Sequence, residues 1–360
     1  MNRACTQSGG TSPARGGCGV TRGGRRTLYY LGPRGTFTHQ AAMSAIPRLS
    51  HVCGGAAFEA EPAGTAAQIF DHVERGDGFG IVAWENNVEG YVVPNLDALL
   101  DSRAVLGVER VAVDVSFDAF VRPDHAELTE VTAHPHGLAQ CSGFIRRRGL
   151  AGRPADSNAA ACRDVTRSQV ALGPSLCGSL YGLETLERDV QDFQGARTEF
   201  LVIAPRSEGH AYLDAVRAAD GGNADDYESI LGLVPLDTGP GVLADLLDVL
   251  RDAGLNMTSF ISRPIKGRDG TYSFVATIDA APWKPVFRDV LRSLTGSSTW
   301  AKTLAVYPRI TRPNPPVSAW MLPEGGVGPG DYAVGGGAPG GAATLRDDAS
   351  RKAEEELLWK

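Results

Sequence analysis

Short apolar segments alternate with segments of helical periodicity between residues 27 and 204. The strand candidates are TLYYL (27–31), FGIVAW (79–84), the alternating run 111–118, VTAHP (131–135), QVALGP (169–174) and TEFLVIA (198–204). The helix candidates are a segment that Thr36 can cap, residues 65–75, residues 136–148 and residues 174–182. This interleaving predicts an α/β architecture with parallel strands, in which ligands bind beyond the carboxyl ends of the strands.

A second pattern of strands and helices occupies residues 227–308. Its segments are the strand SILGLVPL, a helix with leucines at helical spacing, a strand at 256–263, the strand YSFVATID, a helix near 284–294 and the strand KTLAVYP. Gly254 suits the left-handed turn that ends the first of these helices. The order βαββαβ predicts a ferredoxin-like unit.

Three segments lack such patterns. Residues 1–27 carry five arginines and no acidic residue, and they are predicted to be a disordered basic leader. The polar stretch 207–226 is predicted to be a linker between the two folded regions. Residues 309–360 contain prolines and two Gly-rich runs, which cannot bury enough surface to fold, and are predicted to be a tail.

Charge and composition exclude several classes of protein. The net charge is −7 although the leader is basic, so the folded body is acidic and a poor match for nucleic acid. No apolar stretch is long enough to span a bilayer, and no secretory signal is present, so we expect no membrane partner and a cytoplasmic location. The six cysteines have no metal-ligand spacing. We therefore expect reduced thiols, no metal and no cofactor.

Several short motifs suit an acidic ligand. They are GPRGTFTHQAA (32–42), WENNVEG (84–90), HPHGLAQC (134–141), SNAAA (157–161), LYGLETLERDVQD (180–192) and GARTEFLVIAP (195–205). Gly32 and Gly35 bring backbone N–H groups to the start of a helix, where anions are favoured. Asn86 and Asn87 offer amide donors to a carboxylate or hydroxyl.

In their order and spacing these motifs resemble the prephenate dehydratase family. The resemblance covers about residues 28–204 and implies a bilobal, periplasmic-binding-protein-like catalytic domain over 28–206. It implies conversion of prephenate to phenylpyruvate, CO2 and water in L-phenylalanine biosynthesis, with Thr198 at the departing hydroxyl. The substrate-binding residues that it implies are Arg34, Thr36, Asn86, Asn87, Glu89, Gly90, Ser157, Arg197 and Phe200.

Two positions depart from the family pattern. Glu199 stands where the family has arginine, and Asn87 stands where it has serine. Because side chains alternate along a strand, Arg197 and Glu199 are predicted to share one face, opposite Thr198. Arg197 could then neutralise Glu199, or Arg197 or Arg34 could supply the missing positive charge. The departures leave two alternatives open: a non-aromatising prephenate decarboxylase of secondary metabolism, and an inactive ligand-binding regulator on the same scaffold.

The unit at 227–308 resembles an ACT regulatory domain in the motifs PGVL (240–243) and ISRP (261–264). The resemblance implies an L-phenylalanine effector and a homodimer or homotetramer. The effector-binding residues that it implies are Gly241, Val242, Leu243, Asn256, Ser262, Arg263 and Pro264.

Overall fold

Two mixed β-sheets form the framework of the protein in the computed structural model. The structure describes residues 24–265, 267, 270–309, 317–318, 321–327 and 355–357. The described residues up to 309 belong to one compact unit, and those from 317 onwards belong to a second. The fold and the site described below belong to the first unit. The predicted leader lies outside the described residues as far as residue 23, and so does most of the predicted tail. The end of the predicted leader is wrong, because residues 25–27 are the start of the strand Arg25–Leu31.

The elements follow one another in three groups. The first group is β1 (Arg25–Leu31), α1 (Phe37–Val52), β2 (Ala57–Ala63), α2 (Ala66–Arg75), β3 (Phe79–Asn86), β4 (Gly90–Tyr91), α3 (Val93–Asp101) and β5 (Val105–Asp114). The second is β6 (Asp118–Val121), β7 (Glu130–Ala133), α4 (Pro135–Gln140), α5 (Ser142–Arg148), β8 (Ala151–Pro154), α6 (Asn158–Arg163), β9 (Gln169–Gly173), α7 (Leu176–Tyr181) and β10 (Glu184–Glu187). The third is β11 (Arg197–Pro205), α8 (Arg206–Ala219), β12 (Tyr227–Pro235), α9 (Val242–Asp252), β13 (Met257–Pro264), β14 (Tyr272–Ile278), α10 (Pro285–Gly296) and β15 (Thr299–Pro308).

Each lobe of the bilobal first domain is built on its own sheet. The larger sheet has the order β13-β14-β12-β15-β5-β11-β3-β1-β2, and the smaller one β10-β6-β9-β7-β8. The chain passes between the sheets twice, at residues 115–117 and again at 188–196. The Val115 N–H donates to the Ala196 carbonyl at 2.7 Å, so the two crossovers lie side by side. This is the predicted bilobal arrangement.

The expectation of parallel strands is only partly right. β1 runs parallel to β2 and β3, and β7 runs parallel to β8 and β9. β11 runs antiparallel to both of its neighbours, β3 and β5, because it returns from the smaller lobe through the second crossover. The predicted strand 111–118 is likewise divided: β5 ends at Asp114, and the residues after it form the first crossover.

Local sequence signals account for the helices that frame the larger sheet. The Thr36 hydroxyl accepts from the His39 N–H at 3.2 Å and caps α1, as predicted. Thr65 caps α2 in the same way, and Gly76 ends that helix at a φ of 79°.

In the smaller lobe, the predicted helix 136–148 is two short helices, α4 and α5, with Cys141 between them.

The C-terminal unit, residues 227–308, has the predicted βαββαβ order. Its strand β15 lies beside β5 of the first domain, with Ala305 paired to Gly107. A Cβ atom on Gly107 would lie 2.6 Å from the Ala305 Cβ, so the glycine permits this close approach. The two predicted units thus share one continuous sheet.

The predicted linker 207–226 is wrong in its secondary structure. Most of it forms α8, in which Tyr212, Leu213 and Val216 are buried against the larger sheet. The Tyr212 hydroxyl donates to Glu109 of β5 at 2.8 Å. Most residues of the segment are polar or small, so its few apolar positions do not stand out, although they recur at helical spacing. No helix among the described residues is long and apolar enough to cross a membrane.

Candidate active site

Thr198 and Asn86 form a hydrogen-bonded pair where the larger sheet meets the crossovers. Thr198 is the second residue of β11, and Asn86 is the last residue of β3. The two residues are paired across the ladder, and the Asn86 Nδ2 donates to the Thr198 Oγ1 at 2.9 Å. The Thr198 hydroxyl is therefore an acceptor in this contact.

The turn that follows β3 fixes the orientation of the Asn86 amide. Its Oδ1 accepts from the backbone N–H groups of Val88 at 2.8 Å and Glu89 at 3.0 Å. An amide has only one acceptor oxygen, so the nitrogen must face Thr198. Within the described part of the chain, Thr198 donates to no other group. Its hydroxyl hydrogen is thus available to a ligand.

Asn87 holds the same turn against the second crossover. Its Nδ2 donates to the Gly195 carbonyl at 2.9 Å, and its Oδ1 accepts from the Arg197 N–H at 2.7 Å. The Asn87 N–H donates to the Arg197 carbonyl at 3.0 Å. A serine hydroxyl could not span both backbone groups. At this position the departure from the family pattern serves to attach the turn to the crossover.

A cavity of about 590 Å³ lies between the two lobes. Thr36, at the start of α1, lines one wall, and Ser157, at the start of α6, lines the other. Each hydroxyl caps its own helix, with Ser157 accepting from the Ala160 N–H at 3.0 Å. Because the first N–H groups of a helix carry partial positive charge, the α1 wall favours an anionic ligand, whereas the α6 wall also carries the carboxylate of Asp156.

Four further polar residues of the smaller lobe line this cavity, and sequence reasoning did not assign them to the site. They are His134, Asp156, Asn158 and Arg163. The Asn158 Oδ1 accepts from the His134 N–H at 2.9 Å and joins two of the motifs. Arg163 contributes a guanidinium, which Asp164 holds at 2.6 Å. The position of His134 and Asn158 inside the HPHG and SNAAA motifs was the available signal.

A second layer supports the first wall behind Thr36. The His39 Nδ1 accepts from the Gly35 N–H at 3.0 Å, and the His39 ring stacks on Tyr30 with centroids 4.7 Å apart. Burial, with a smaller contribution from the charge of Arg34, lowers the pKa of His39 below its usual value. Burial raises the pKa of Tyr30 to about 12. Both rings are therefore neutral near pH 7.

Comparison with known proteins agrees with this geometry. A family model described as prephenate dehydratase matches residues 28–208. The prephenate dehydratase of Mycolicibacterium vanbaalenii is 33% identical over 291 residues, which cover 74% of this chain and 86% of that protein. This chain belongs to the prephenate dehydratase family. The prephenate dehydratase of Mycolicibacterium gilvum is 32% identical over 267 residues, covering 69% of this chain and 79% of that one.

Among solved structures, the prephenate dehydratase from Arthrobacter aurescens in complex with L-Phe has the same fold. Its TM-score is 0.64 at 23% identity, and the match covers 92% of this chain and 100% of that one.

The residues that the family resemblance implies do not all lie together. Thr198, Asn86, Asn87 and Arg197 meet at the crossover, whereas Thr36 and Ser157 line the cavity. Phe200 is 2% exposed and packs in the core beneath α1, away from the cavity. The remaining three are placed as follows: Arg34 is exposed in the turn before α1, Glu89 lies in an exposed turn with its Oε1 3.7 Å from the His136 Nδ1 of the smaller lobe, and Gly90 opens β4 at a φ of 83°.

Glu199 faces away from Thr198. Around these residues β11 pairs regularly with β5, so neighbouring side chains point to opposite faces of the sheet. Glu199 forms an ion pair with Arg110 of β5, whereas Arg197 is exposed. The prediction that Arg197 neutralises Glu199 is therefore wrong, because Arg110 occupies the position beside that carboxylate.

The residues that the resemblance implies for phenylalanine binding lie in separate parts of the C-terminal unit. Val242 and Leu243 line a cavity of about 160 Å³ behind Gly241, which has a φ of 91°. Arg263 and Pro264 line a different cavity, of about 460 Å³, beside α3. The last two lie elsewhere: Asn256 donates to Asp279 at 2.6 Å, and Ser262 is exposed on β13.

Proposed function

We propose that this protein converts prephenate to phenylpyruvate, CO2 and water in L-phenylalanine biosynthesis, as an enzyme of the carbon–oxygen lyase class. The orientation of the Thr198 hydroxyl carries this proposal. Asn86 donates to the oxygen of that hydroxyl, so the hydrogen is left to point at a substrate atom. A hydroxyl donor held in this way is what a departing hydroxyl group needs.

The reaction requires few other chemical groups from the protein. The ring carboxylate leaves as CO2 and its bonding electron pair enters the ring, while the C–O bond at the opposite ring carbon breaks. The departing oxygen takes a proton, leaves as water, and the ring becomes aromatic. Thr198 donates to that oxygen, and solvent restores the proton. Because aromatisation supplies the driving force, the protein mainly has to orient the substrate and stabilise the departing group.

The cavity between the lobes supplies groups for the two carboxylates of prephenate. The start of α1 favours negative charge on one wall. On the other wall, which also carries Asp156, Arg163 adds a guanidinium; Asp164 holds its Nε and Nη2 at 2.8 and 2.6 Å, so its Nη1 remains for a carboxylate. A dianion that contacts both walls would lie between the two lobes, which the crossover that carries Thr198 joins.

The place of Glu199 removes the main reason for preferring a non-aromatising decarboxylase or an inactive regulator. A carboxylate beside Thr198 would repel a dianion, but Glu199 lies on the opposite face of the sheet, with Arg110. The test is product analysis after incubation of the purified protein with prephenate. Phenylpyruvate supports the proposal. A non-aromatic keto acid would indicate the decarboxylase, and unchanged prephenate would indicate the regulator.

We further propose that L-phenylalanine inhibits the enzyme through the C-terminal unit, acting as an ACT domain in a homodimer or homotetramer. The small cavity beside Val242 has two partly exposed apolar residues at its rim, Leu243 at 40% and Tyr272 at 49%. A second copy that covered this rim would enclose an effector with an aromatic side chain. The Arthrobacter aurescens enzyme forms a complex with L-Phe, which supports this choice of effector. The cytoplasmic location stays a prediction.

Light scattering and calorimetry with L-phenylalanine test this second proposal. The expected result is a dimer or tetramer that binds the amino acid, and replacement of Leu243 by aspartate should abolish that binding. A monomer that binds no phenylalanine would contradict the proposal and leave the dehydratase activity as a separate question.

A further inference from the structure

We propose that Arg110 is a positioning residue that sets the Thr198–Asn86 pair and ties it to the C-terminal unit, an inference that rests on the proposed function. Arg110 lies on β5, and only 4% of its side chain is exposed. It contacts neither the cavity nor Thr198 itself. Its effect passes through the residues that it holds.

One guanidinium holds side chains from four other strands. Its Nη2 contacts Glu199 of β11, and lies 3.4 Å from the Glu85 Oε2 of β3. Its Nη1 donates to the Glu228 Oε2 of β12 and to the Tyr307 hydroxyl of β15, both at 3.1 Å. We call these five residues the Arg110 cluster. Two of its strands belong to the C-terminal unit, and three belong to the first domain.

Two members of the Arg110 cluster are sequence neighbours of the Thr198–Asn86 pair. Glu199 follows Thr198 on β11, and Glu85 precedes Asn86 on β3. Side chains alternate along each strand, so the pair faces one side of the sheet and the two carboxylates face the other. Glu199 and Glu85 are themselves partners in the ladder, as Thr198 and Asn86 are. Arg110 therefore fixes the backbone that presents both members of the pair.

The other half of the cluster fixes where the C-terminal unit can lie. The Glu228 side chain is 7% exposed and Tyr307 is fully buried. A buried charge that loses one of its partners is strongly disfavoured. The planar fork of donors also restricts the directions from which these partners can approach. A displacement of β12 or β15 must therefore move Arg110 or break its contacts, and either change reaches Thr198 through Glu199.

The Arg110 cluster gives Glu199 a role as an ion-pair partner in this chain. The family pattern has arginine at the position, whereas here the carboxylate is a partner of Arg110. The charge of residue 199 thus acts on the junction between the two units.

The deciding variant is Glu228→Gln, because Glu228 belongs to the C-terminal unit and lies far along the chain from Thr198. Glutamine keeps the shape and removes the charge that Arg110 holds. Misplacement of catalytic groups by a fraction of an ångström lowers turnover steeply, so we expect kcat for prephenate to fall by roughly 10-fold while KM changes by less than about twofold. Glu199→Gln should give the same division between kcat and KM. Glu187→Gln removes two partly exposed ion pairs, with Arg147 and Arg148 of the smaller lobe, and serves as the matched control.

The double variant Glu199→Gln/Glu228→Gln separates coupling from independent damage. Both changes act through one guanidinium, so their combined effect on kcat should be smaller than the product of the single effects. Tyr307→Phe removes one hydroxyl and should show a weaker form of the same effect if either charge variant fails to fold. Multiplicative effects in the double variant, or wild-type kcat in Glu228→Gln, would overturn the proposal.

A readout without substrate distinguishes this proposal from the proposed function. Amide hydrogen exchange should be faster in Glu228→Gln than in the wild type for peptides that cover 84–87 and 196–200. Faster exchange together with an inactive wild-type protein would refute the dehydratase and retain the cluster. Unchanged exchange in an active enzyme would refute the cluster and retain the dehydratase.

Discussion

Arg263 of β13 forms a bidentate ion pair with Asp97 of α3, with both N–O distances at 2.8 Å. The side chains are 23% and 24% exposed. A second contact joins β13 to the same region of the first domain, since the Tyr91 hydroxyl donates to the Ser259 Oγ at 2.8 Å. β13 therefore holds the segment that continues directly from the Asn86 turn. The family resemblance assigns Arg263 to phenylalanine binding, whereas in this structure its fork is occupied by the first domain.

Replacing Asp97 with asparagine tests whether this ion pair transmits regulation. We expect phenylalanine to bind Asp97→Asn with nearly unchanged affinity but to inhibit it less. The lost coupling should be on the order of 1–3 kcal/mol, measured as the change in prephenate affinity caused by the effector. Calorimetry gives binding, and steady-state kinetics gives inhibition. Loss of phenylalanine binding in Arg263→Met together with full inhibition of Asp97→Asn would instead place Arg263 in the effector site.

The Thr198 hydroxyl is predicted to be essential to turnover. Thr198→Val keeps the shape of the side chain and removes the donor, so kcat should fall by about 10²-fold or more. Thr198→Ser keeps the hydroxyl and is the matched control, with an expected loss much smaller than that of valine. Turnover of Thr198→Val near the wild-type rate would remove this residue from the mechanism.

Asn86→Asp tests the direction of the hydrogen bond. Aspartate can still accept from the N–H groups of Val88 and Glu89, but it cannot donate to the Thr198 Oγ1. The Thr198 hydroxyl would then donate to the new carboxylate and would no longer face the substrate. We expect the rate constant of a single turnover to fall by roughly 10²-fold. The midpoint of denaturant unfolding should change little. An active Asn86→Asp enzyme would show that the orientation of Thr198 is not needed.

The motifs of the sequence identified the framework of this site because each one marks a local structure. Thr36 was found as a helix cap and Ser157 through its motif, and both stand on the walls of the cavity. The βαββαβ order was also predictable, since apolar periodicity and turn residues are local signals. Helix α8 was missed because its buried residues lie among charged and small ones.

Contacts between distant strands could not be predicted in the same way. The pairing of Glu199 with Arg110, and of Arg263 with Asp97, depends on the register of strands that are far apart in the sequence. Alternation correctly placed Glu199 on the face opposite Thr198. It could not tell which face looks towards the substrate, because that depends on how the strands of the two lobes are arranged around the crossovers.

Charge near the substrate is predicted to come from Arg163. Arg163→Met should raise KM for prephenate by about 10-fold, since it removes from the cavity wall the positive charge of a guanidinium whose Nε and Nη2 are paired with Asp164. Arg167→Met, on an exposed loop of the same lobe, is the matched control. Glu199→Arg restores the arginine of the family pattern but places a second cation beside Arg110, so its kcat should fall as in Glu199→Gln. Its KM should stay within about twofold of the wild type because residue 199 does not face the cavity. A lower KM in Glu199→Arg would mean that this residue does influence the substrate.

Stability is predicted to decrease on the acidic side of neutrality because of His39. Its pKa in the folded protein is lowered from 6.5, first by burial and then by Arg34. Below pH 6.5 the unfolded chain binds more protons than the folded one, so the free energy of unfolding rises with pH there and levels off above it. Protonation would also place a hydrogen on the Nδ1 that accepts from Gly35. Denaturant unfolding between about pH 5 and pH 8 should show this slope in the wild type.

The slope should be smaller in His39→Gln, whose side-chain oxygen can accept from the Gly35 N–H without titrating. His210→Gln, which replaces an exposed histidine on α8, should keep the wild-type slope. Equal slopes in His39→Gln and the wild type would assign the acid sensitivity to other groups. The same series of variants, assayed with prephenate, should show whether neutral His39 is also needed to hold the turn from Gly35 to Thr36 that forms one wall of the cavity.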